Sequence, residues 1–219
     1  MKNAQHNGFT LVEIAIVLVI IGLLLGGILK GQEMITQAKI KNVIADMSGV
    51  SAAMYGYQDR YRALPGDDKN AGGASGRWGV AATAGNGDGV IQGTWTAAGE
   101  ATHFWDHLRR AGFISGSSGT DNPFNAVSGK MGVQTGDGAG KGVLGEAAAT
   151  KMFSGLIMCS ANLPDKVAVS VDAQMDDGLG KTGSVRALKG GGNPAIPSEG
   201  AADAYTEDGV SQYLVCRQM

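Results

Sequence analysis

Gly8-Phe9-Thr10-Leu11-Val12-Glu13 opens an apolar run that continues to Leu29, and the reading of this stretch decides the fold. Residues 1–8 carry a single charged side chain, Lys2. Between Phe9 and Leu29 there is one ionisable residue, Glu13, and no proline. A helix over these residues would rise about 31 Å, enough to cross a hydrocarbon core of about 30 Å. A secretory signal has a shorter apolar region, about 7–15 residues, followed by a small-residue cleavage site. Here Gly26-Gly27-Ile28-Leu29-Lys30-Gly31 leads straight into a further helical pattern. A plain membrane anchor leaves Glu13 unexplained, because a carboxylate in a membrane helix costs about 2.5–3.5 kcal/mol.

Glycine, aromatic and glutamate in register before an apolar helix resemble the processing site of type IV pilins and of the pseudopilins of type II secretion. The resemblance covers Gly8 to about Lys30. It implies cleavage after Gly8 by a prepilin peptidase, N-methylation of Phe9, and subunit docking through Glu13. The amine freed on Phe9 would lie at membrane depth and could approach Glu13 of a neighbouring subunit. Each charge then offsets part of the other's burial cost. The implied partners are the peptidase, the inner-membrane assembly machinery, membrane lipid before assembly, and further copies of the chain in a helical filament. The implied location is a bacterial inner membrane with the head in the periplasm, and later an extracellular pilus or a periplasmic pseudopilus.

Within the run, Gly22 and Gly26, and Gly27 and Gly31, are spaced for close helix approach. Each glycine also weakens the helix by about 1 kcal/mol relative to alanine. The resemblance makes Gly22, Gly26 and Gly27 a packing or melting segment.

Helical spacing continues beyond the anchor. Ile40, Val43, Ile44, Met47, Val50, Met54, Tyr57 and Tyr61 recur at intervals of three and four, while Lys39, Lys41, Asp46, Gln58 and Asp59 supply polar positions. Pro65-Gly66 ends the pattern. Such a stripe needs a sheet to cover it. The expected class is therefore α+β: a long N-terminal helix, half anchor and half amphipathic, packed on a small antiparallel sheet, as in pilins. The expected partition is a leader over 1–8, an anchor and assembly helix over 9–29, its amphipathic continuation over 30–62 and a globular head over 63–219.

The chain has 219 residues, with 18 basic against 20 acidic and a net charge of −2. Loss of Lys2 with the leader leaves 17 basic residues and a net charge of −3. That balance gives no footprint for a polyanion partner. Thirty-six glycines and few aromatics indicate long loops and a small core.

In the head, Glu100 to Ala111 reads as a helix burying Ala101, Phe104, Trp105, Leu108 and Ala111, with His103 and His107 on the opposite, solvent-facing side. Residues 115–142 read as turns. Phe153–Cys159, Val185–Leu188 and Val210–Cys216 read as strands, and Asp165 as the cap of a short helix with Val167, Ala168, Val171 and Met175 inside. Trp78 and Trp95 are the apolar pins of the glycine-rich stretch between Leu64 and Gly99.

The chemical motifs are incomplete. Asn86-Gly87-Asp88-Gly89 resembles the middle of a calcium loop, which makes Asn86 and Asp88 calcium candidates with Asp67 and Asp68 nearby. Ala84 and Trp95 stand where ligands belong, so a glycine turn with Asx hydrogen bonds is the favoured reading. His103 and His107 lack the glutamate of a zinc helix, since Phe104 takes its place. Gly136–Gly142 and Gly178–Thr182 fail as phosphate loops because Thr135 and Met175 replace the required first glycine. No nucleophile–base–orienter set is present, so no catalytic residue, resident metal or cofactor is expected.

Cys159 and Cys216 are the whole thiol inventory and allow one intrachain pairing. A bridge closing a loop of this size would contribute about 4 kcal/mol. It resembles the disulfide-bounded region of many type IV pilins. The function expected from all this is a structural filament subunit. The alternatives are a pseudopilin of a secretion machine and a minor pilin whose head binds a ligand.

Overall fold

The computed structural model describes residues 10–147, 150–190, 192–193, 196–197 and 199–219. Gly8 and Phe9, at the expected processing site, lie outside the described residues. The elements are α1 (Leu11–Tyr61), α2 (Glu100–Arg110), β1 (Met131–Thr135), β2 (Leu156–Pro164), α3 (Asp165–Met175), β3 (Val185–Lys189) and β4 (Gln212–Gln218), with one 3-10 turn at Gly79–Ala81. The architecture is the expected α+β one: a long N-terminal helix and a four-stranded antiparallel sheet of order β1-β2-β4-β3. The chain forms two compact units, Met1–Ala38 and Lys39–Met219.

In the first unit α1 exposes its apolar side chains all round, from Leu11 at 86% to Leu29 at 67%. It is the one helix among the described residues long and apolar enough to cross a membrane. It stays helical through Gly22, Gly26 and Gly27.

In the second unit the same helix becomes one-sided. Ile40, Val43, Met47, Val50, Ala53, Met54 and Tyr57 are buried, while Ile44 and Tyr61 lie at the margins of the stripe. They join one core with Val133 of β1, Ile157 of β2, Ala187 of β3 and Leu214 of β4. The sheet does not cover the stripe alone, as the sequence reading expected. Tyr57 lies among Trp78, His107 and Phe113, with ring centroids 6.3–6.4 Å away. α2 and the glycine-rich loop thus complete the C-terminal end of the stripe. Asp46 also departs from expectation: it is half-buried and accepts a backbone N–H from Ala126. The helix ends at Tyr61 because Arg62 turns left-handed, at φ 55°.

Where the sequence pattern indicates turns over 115–142, the structure has strand β1. Its five residues include Gly132, and a Cβ there would fall 1.7 Å from the Trp95 ring. The glycine that hides the strand is the one that lets Trp95 lie on it. Strand β2 starts later and runs further than expected, to Pro164, with a bulge after Ser160 and Asn162 at φ 60°. Phe153 forms only an isolated bridge to Val143. β4 begins at Gln212 because Val210 is 84% exposed in a turn held by Asp208. Asp165 is the first residue of α3 and does not cap it. Its carboxylate instead accepts the Gly209 N–H at 2.6 Å, tying α3 to the loop before β4.

Both sheet edges are taken up by loops. On β1, the Thr135 N–H donates to Ile91 O and the Met131 N–H to Pro123 O; on β3, the Ala187 N–H donates to Gly180 O and its carbonyl accepts from Asp203. Neither edge offers a run of free backbone groups for strand addition.

Val50→Asp would place an unpaired charge in this core and should destabilise the head by about 3 kcal/mol. Ser48→Asp, at an exposed position on the same helix, should change stability by no more than about 0.5 kcal/mol. Thermal melts of the two variants check this, and equal melting temperatures would contradict the packing described.

Candidate functional site

The first turn of α1 carries the geometry of most interest. The Thr10 N–H and the Thr10 hydroxyl both donate to Glu13 Oε2, each at 2.8 Å. The Glu13 N–H reaches Thr10 Oγ1 at 3.3 Å. This reciprocal arrangement is a capping box: it satisfies N–H groups that the helix start cannot pair internally. Thr-x-x-Glu is its sequence signature, a role for Glu13 beyond its charge. The carboxylate therefore has partners in its own first turn, which lowers the cost of holding it among Leu11, Val12 and Ile14. The apolar run ends in an exposed pair, Lys30 to Glu33, at 2.8 Å.

In the head, the loop around Asn86 and Asp88 is organised by carboxylates that accept backbone N–H groups. Asp67 Oδ1 accepts from Gly87 at 2.6 Å and Asp67 Oδ2 from Gly89 at 2.8 Å. Asn86 Oδ1 accepts from the Asp88 N–H, and Asp88 Oδ1 from the Val90 N–H, both at 2.8 Å. These are two successive Asx turns. Glu100 spans the loop from α2, accepting from the Asn86 and Gln92 backbone. The four side chains therefore hold the loop in shape through backbone donors.

His107 is fully buried, contrary to the solvent-facing placement read from the helix pattern. Its Nδ1 accepts the Gly66 N–H at 2.9 Å and its Nε2 lies 2.8 Å from Thr83 O. This fixes the neutral tautomer with the proton on Nε2 and links α2 to the glycine-rich loop at Gly66 and at Thr83. Burial holds its pKa below the usual histidine range. The reason for the miss is that a loop covers the polar face of α2. His103 is half-buried on the neighbouring turn.

Asp172, Asp176 and Asp177 bring carboxylate oxygens within 4.8 Å of one another. Each is engaged locally: Asp172 by the Tyr205 hydroxyl at 2.8 Å and the Gly178 N–H, Asp176 by the Ser184 and Val185 N–H groups, Asp177 by Thr182 and Leu179. Gly136–Gly142 is a turn whose Ala139 and Lys141 N–H groups both donate to Asp137. Cys159 and Cys216 stand opposite one another on β2 and β4 and are joined by a disulfide.

The family model described as the prokaryotic N-terminal methylation motif matches residues 3–29, and that motif is the signature of type IV prepilins and pseudopilins. No curated protein matches the chain.

Asp172 generates a pH prediction. Burial, with Asp176 and Asp177 nearby, raises its pKa from the usual 3.8 to about 6. The folded head then binds this proton more tightly than the unfolded chain. The resulting stabilisation is full below pH 4 and is lost as the pH rises through about 6. Melting temperature should therefore fall between pH 4 and pH 7 by an amount that Asp172→Asn removes. An unchanged slope in the variant would contradict this assignment.

Proposed function

We propose that the chain is a structural subunit of a type IV pilus-like filament, anchored in the membrane as a precursor and assembled through α1. On this reading a prepilin peptidase cuts between Gly8 and Phe9, and Phe9 becomes the methylated N-terminus. The single observation that carries the reading is the methylation motif over residues 3–29, placed at the head of a helix whose first three turns contain one charge, Glu13. Membrane anchoring and general filament assembly follow from that motif. The filament type, the periplasmic side of the head and the roles of individual residues are the further content of the proposal.

The chemistry asked of the site is docking and not catalysis. Glu13 holds Thr10 in its own chain and pairs with the Phe9 amine of a neighbour. The desolvation cost of two charges makes that pairing a register device, since a subunit shifted along the filament leaves both unpaired. The glycines at 22, 26 and 27 lower helix stability where packed helices must approach or locally unwind. The same motif also serves pseudopilins. The disulfide and the large glycine-rich head favour a pilin, and recovery in sheared surface filaments, as opposed to periplasmic confinement, distinguishes the two.

Intact-mass analysis of the native protein should give a chain beginning at methylated Phe9. A chain beginning at Met1, or cut after Gly31, would overturn the reading. Glu13→Gln separates the two duties of the glutamate, because glutamine still completes a capping box but carries no charge. The variant should insert in the membrane as wild type does and fail to give filaments in normal yield. Wild-type filament yield from Glu13→Gln would refute the charge pairing.

A further inference from the structure

We propose that residues 178–182 form a pH-operated strap over the outer edge of β3, bolted while Asp172 holds a proton and loosened when it ionises. The inference concerns the head alone and does not depend on the filament reading.

The strap follows α3 and reaches β3 at one residue. The Ala187 N–H of β3 donates to Gly180 O at 2.8 Å, and the Ala187 carbonyl accepts from the Asp203 N–H at 2.7 Å. Gly180 is buried between these segments. A Cβ there would fall 2.5 Å from Asp203 O, 3.0 Å from the Ala187 side chain and 3.1 Å from the Tyr205 ring, so only glycine lets the strap lie this close. Beyond this contact the strap has little hold. Leu179 is exposed, and a recess of about 480 Å³, rimmed by Lys181 and Glu207, opens between the strap, Val169 of α3 and Tyr205.

Asp172 of α3 ties the strap to the segment before β4. Its Oδ1 accepts the Gly178 N–H at 3.2 Å and its Oδ2 the Tyr205 hydroxyl at 2.8 Å. The side chain is fully buried and forms no ion pair among the described residues. The groups facing it are Asp176 and Asp177 after α3, Tyr205 with Tyr213 of β4 behind it, and Arg186 of β3. β2 presents no titratable group, since its one cysteine is in the disulfide. Arg186 is committed to the Gly183, Leu144 and Lys151 carbonyls. A carboxylate so placed is held neutral by burial and by its like-charged neighbours.

Burial outweighs the two hydrogen bonds, which favour the ionised form, and sets the pKa at about 6. With the strap open, Asp172 meets water and titrates near its usual 3.8. The closed state therefore binds the proton more tightly than the open one. Closure is favoured at low pH, and opening becomes easier as the pH rises through about 6. Opening frees the Ala187 N–H, a backbone donor on a sheet edge.

The test is amide hydrogen exchange of the full-length, ¹⁵N-labelled protein in dodecylphosphocholine micelles. It is read by NMR at about pH 5 and about pH 7.5 and divided by the intrinsic rate at each pH. The Ala187 N–H reports the strap. The Met131 and Thr135 N–H groups, bonded to loops on the β1 edge, are the controls. Titration at 3.8 in the open state and about 6 in the closed one gives a fall in Ala187 protection of about tenfold over this range, with the β1 edge unchanged. Asp172→Asn, an uncharged isostere, should hold Ala187 protection constant. Gly180→Ala should force the strap off and expose Ala187 at both pH values; it decides if Asp172→Asn does not fold. Unchanged Ala187 protection in the wild type, an equal fall at the β1 edge, a fall that persists in Asp172→Asn, or wild-type protection in Gly180→Ala would overturn the proposal.

Discussion

The seven side chains of α1 that leave solvent between Ile40 and Tyr57 are the contact on which the head is built. Burying each large apolar member stabilises by about 1.5–3 kcal/mol. The stripe and the inner residues of the sheet share one core. α2 and the loop between Leu64 and Gly99 close over the Tyr57 end. That loop has little apolar material of its own, so it is held by polar clamps. Asp68 accepts from the Tyr57 hydroxyl and pairs with Arg77, both at 2.7 Å. His107 grips the backbone at Gly66 and Thr83. A glycine-rich segment can be ordered in this way because its unusual backbone angles cost little and its N–H groups are accessible to buried carboxylates.

The same helix meets a different physical demand before Lys39. From Leu11 to Leu29 the side chains are exposed on every side, and the one ionisable residue among them is Glu13. The Thr10–Glu13 capping box shows how that exception is tolerated within a single chain: hydrogen bonds from a backbone N–H and a hydroxyl replace the lost water. A neighbouring amine would add charge compensation. On the proposed function, helix-start chemistry and filament docking would converge on one carboxylate, which would account for a charge where lipid disfavours it.

Much of this was legible in the sequence because it rests on periodicity. The apolar run, the three-four spacing from Ile40 to Tyr57 and the amphipathic α2 follow from side chains alternating between two environments. The disulfide was legible because two cysteines leave one pairing. What was hidden depends on contacts distant in sequence. β1 is masked by Gly132, whose purpose appears only when Trp95 is placed over it. His107 looked solvent-facing until the Gly66–Thr83 loop was laid across α2. Asp165 resembled a cap, but its carboxylate bonds to Gly209 instead. The Thr10–Glu13 cap was readable as a Thr-x-x-Glu pattern.

The measurement that tests the central claim most directly is a cryo-electron microscopy reconstruction of the filament this chain forms, at a resolution that places the first turn of α1. The account predicts Phe9 as the first residue, with its amine within hydrogen-bond distance of the Glu13 carboxylate of a neighbouring subunit. Retained residues 1–8, or Glu13 side chains with no neighbouring amine in reach, would contradict it.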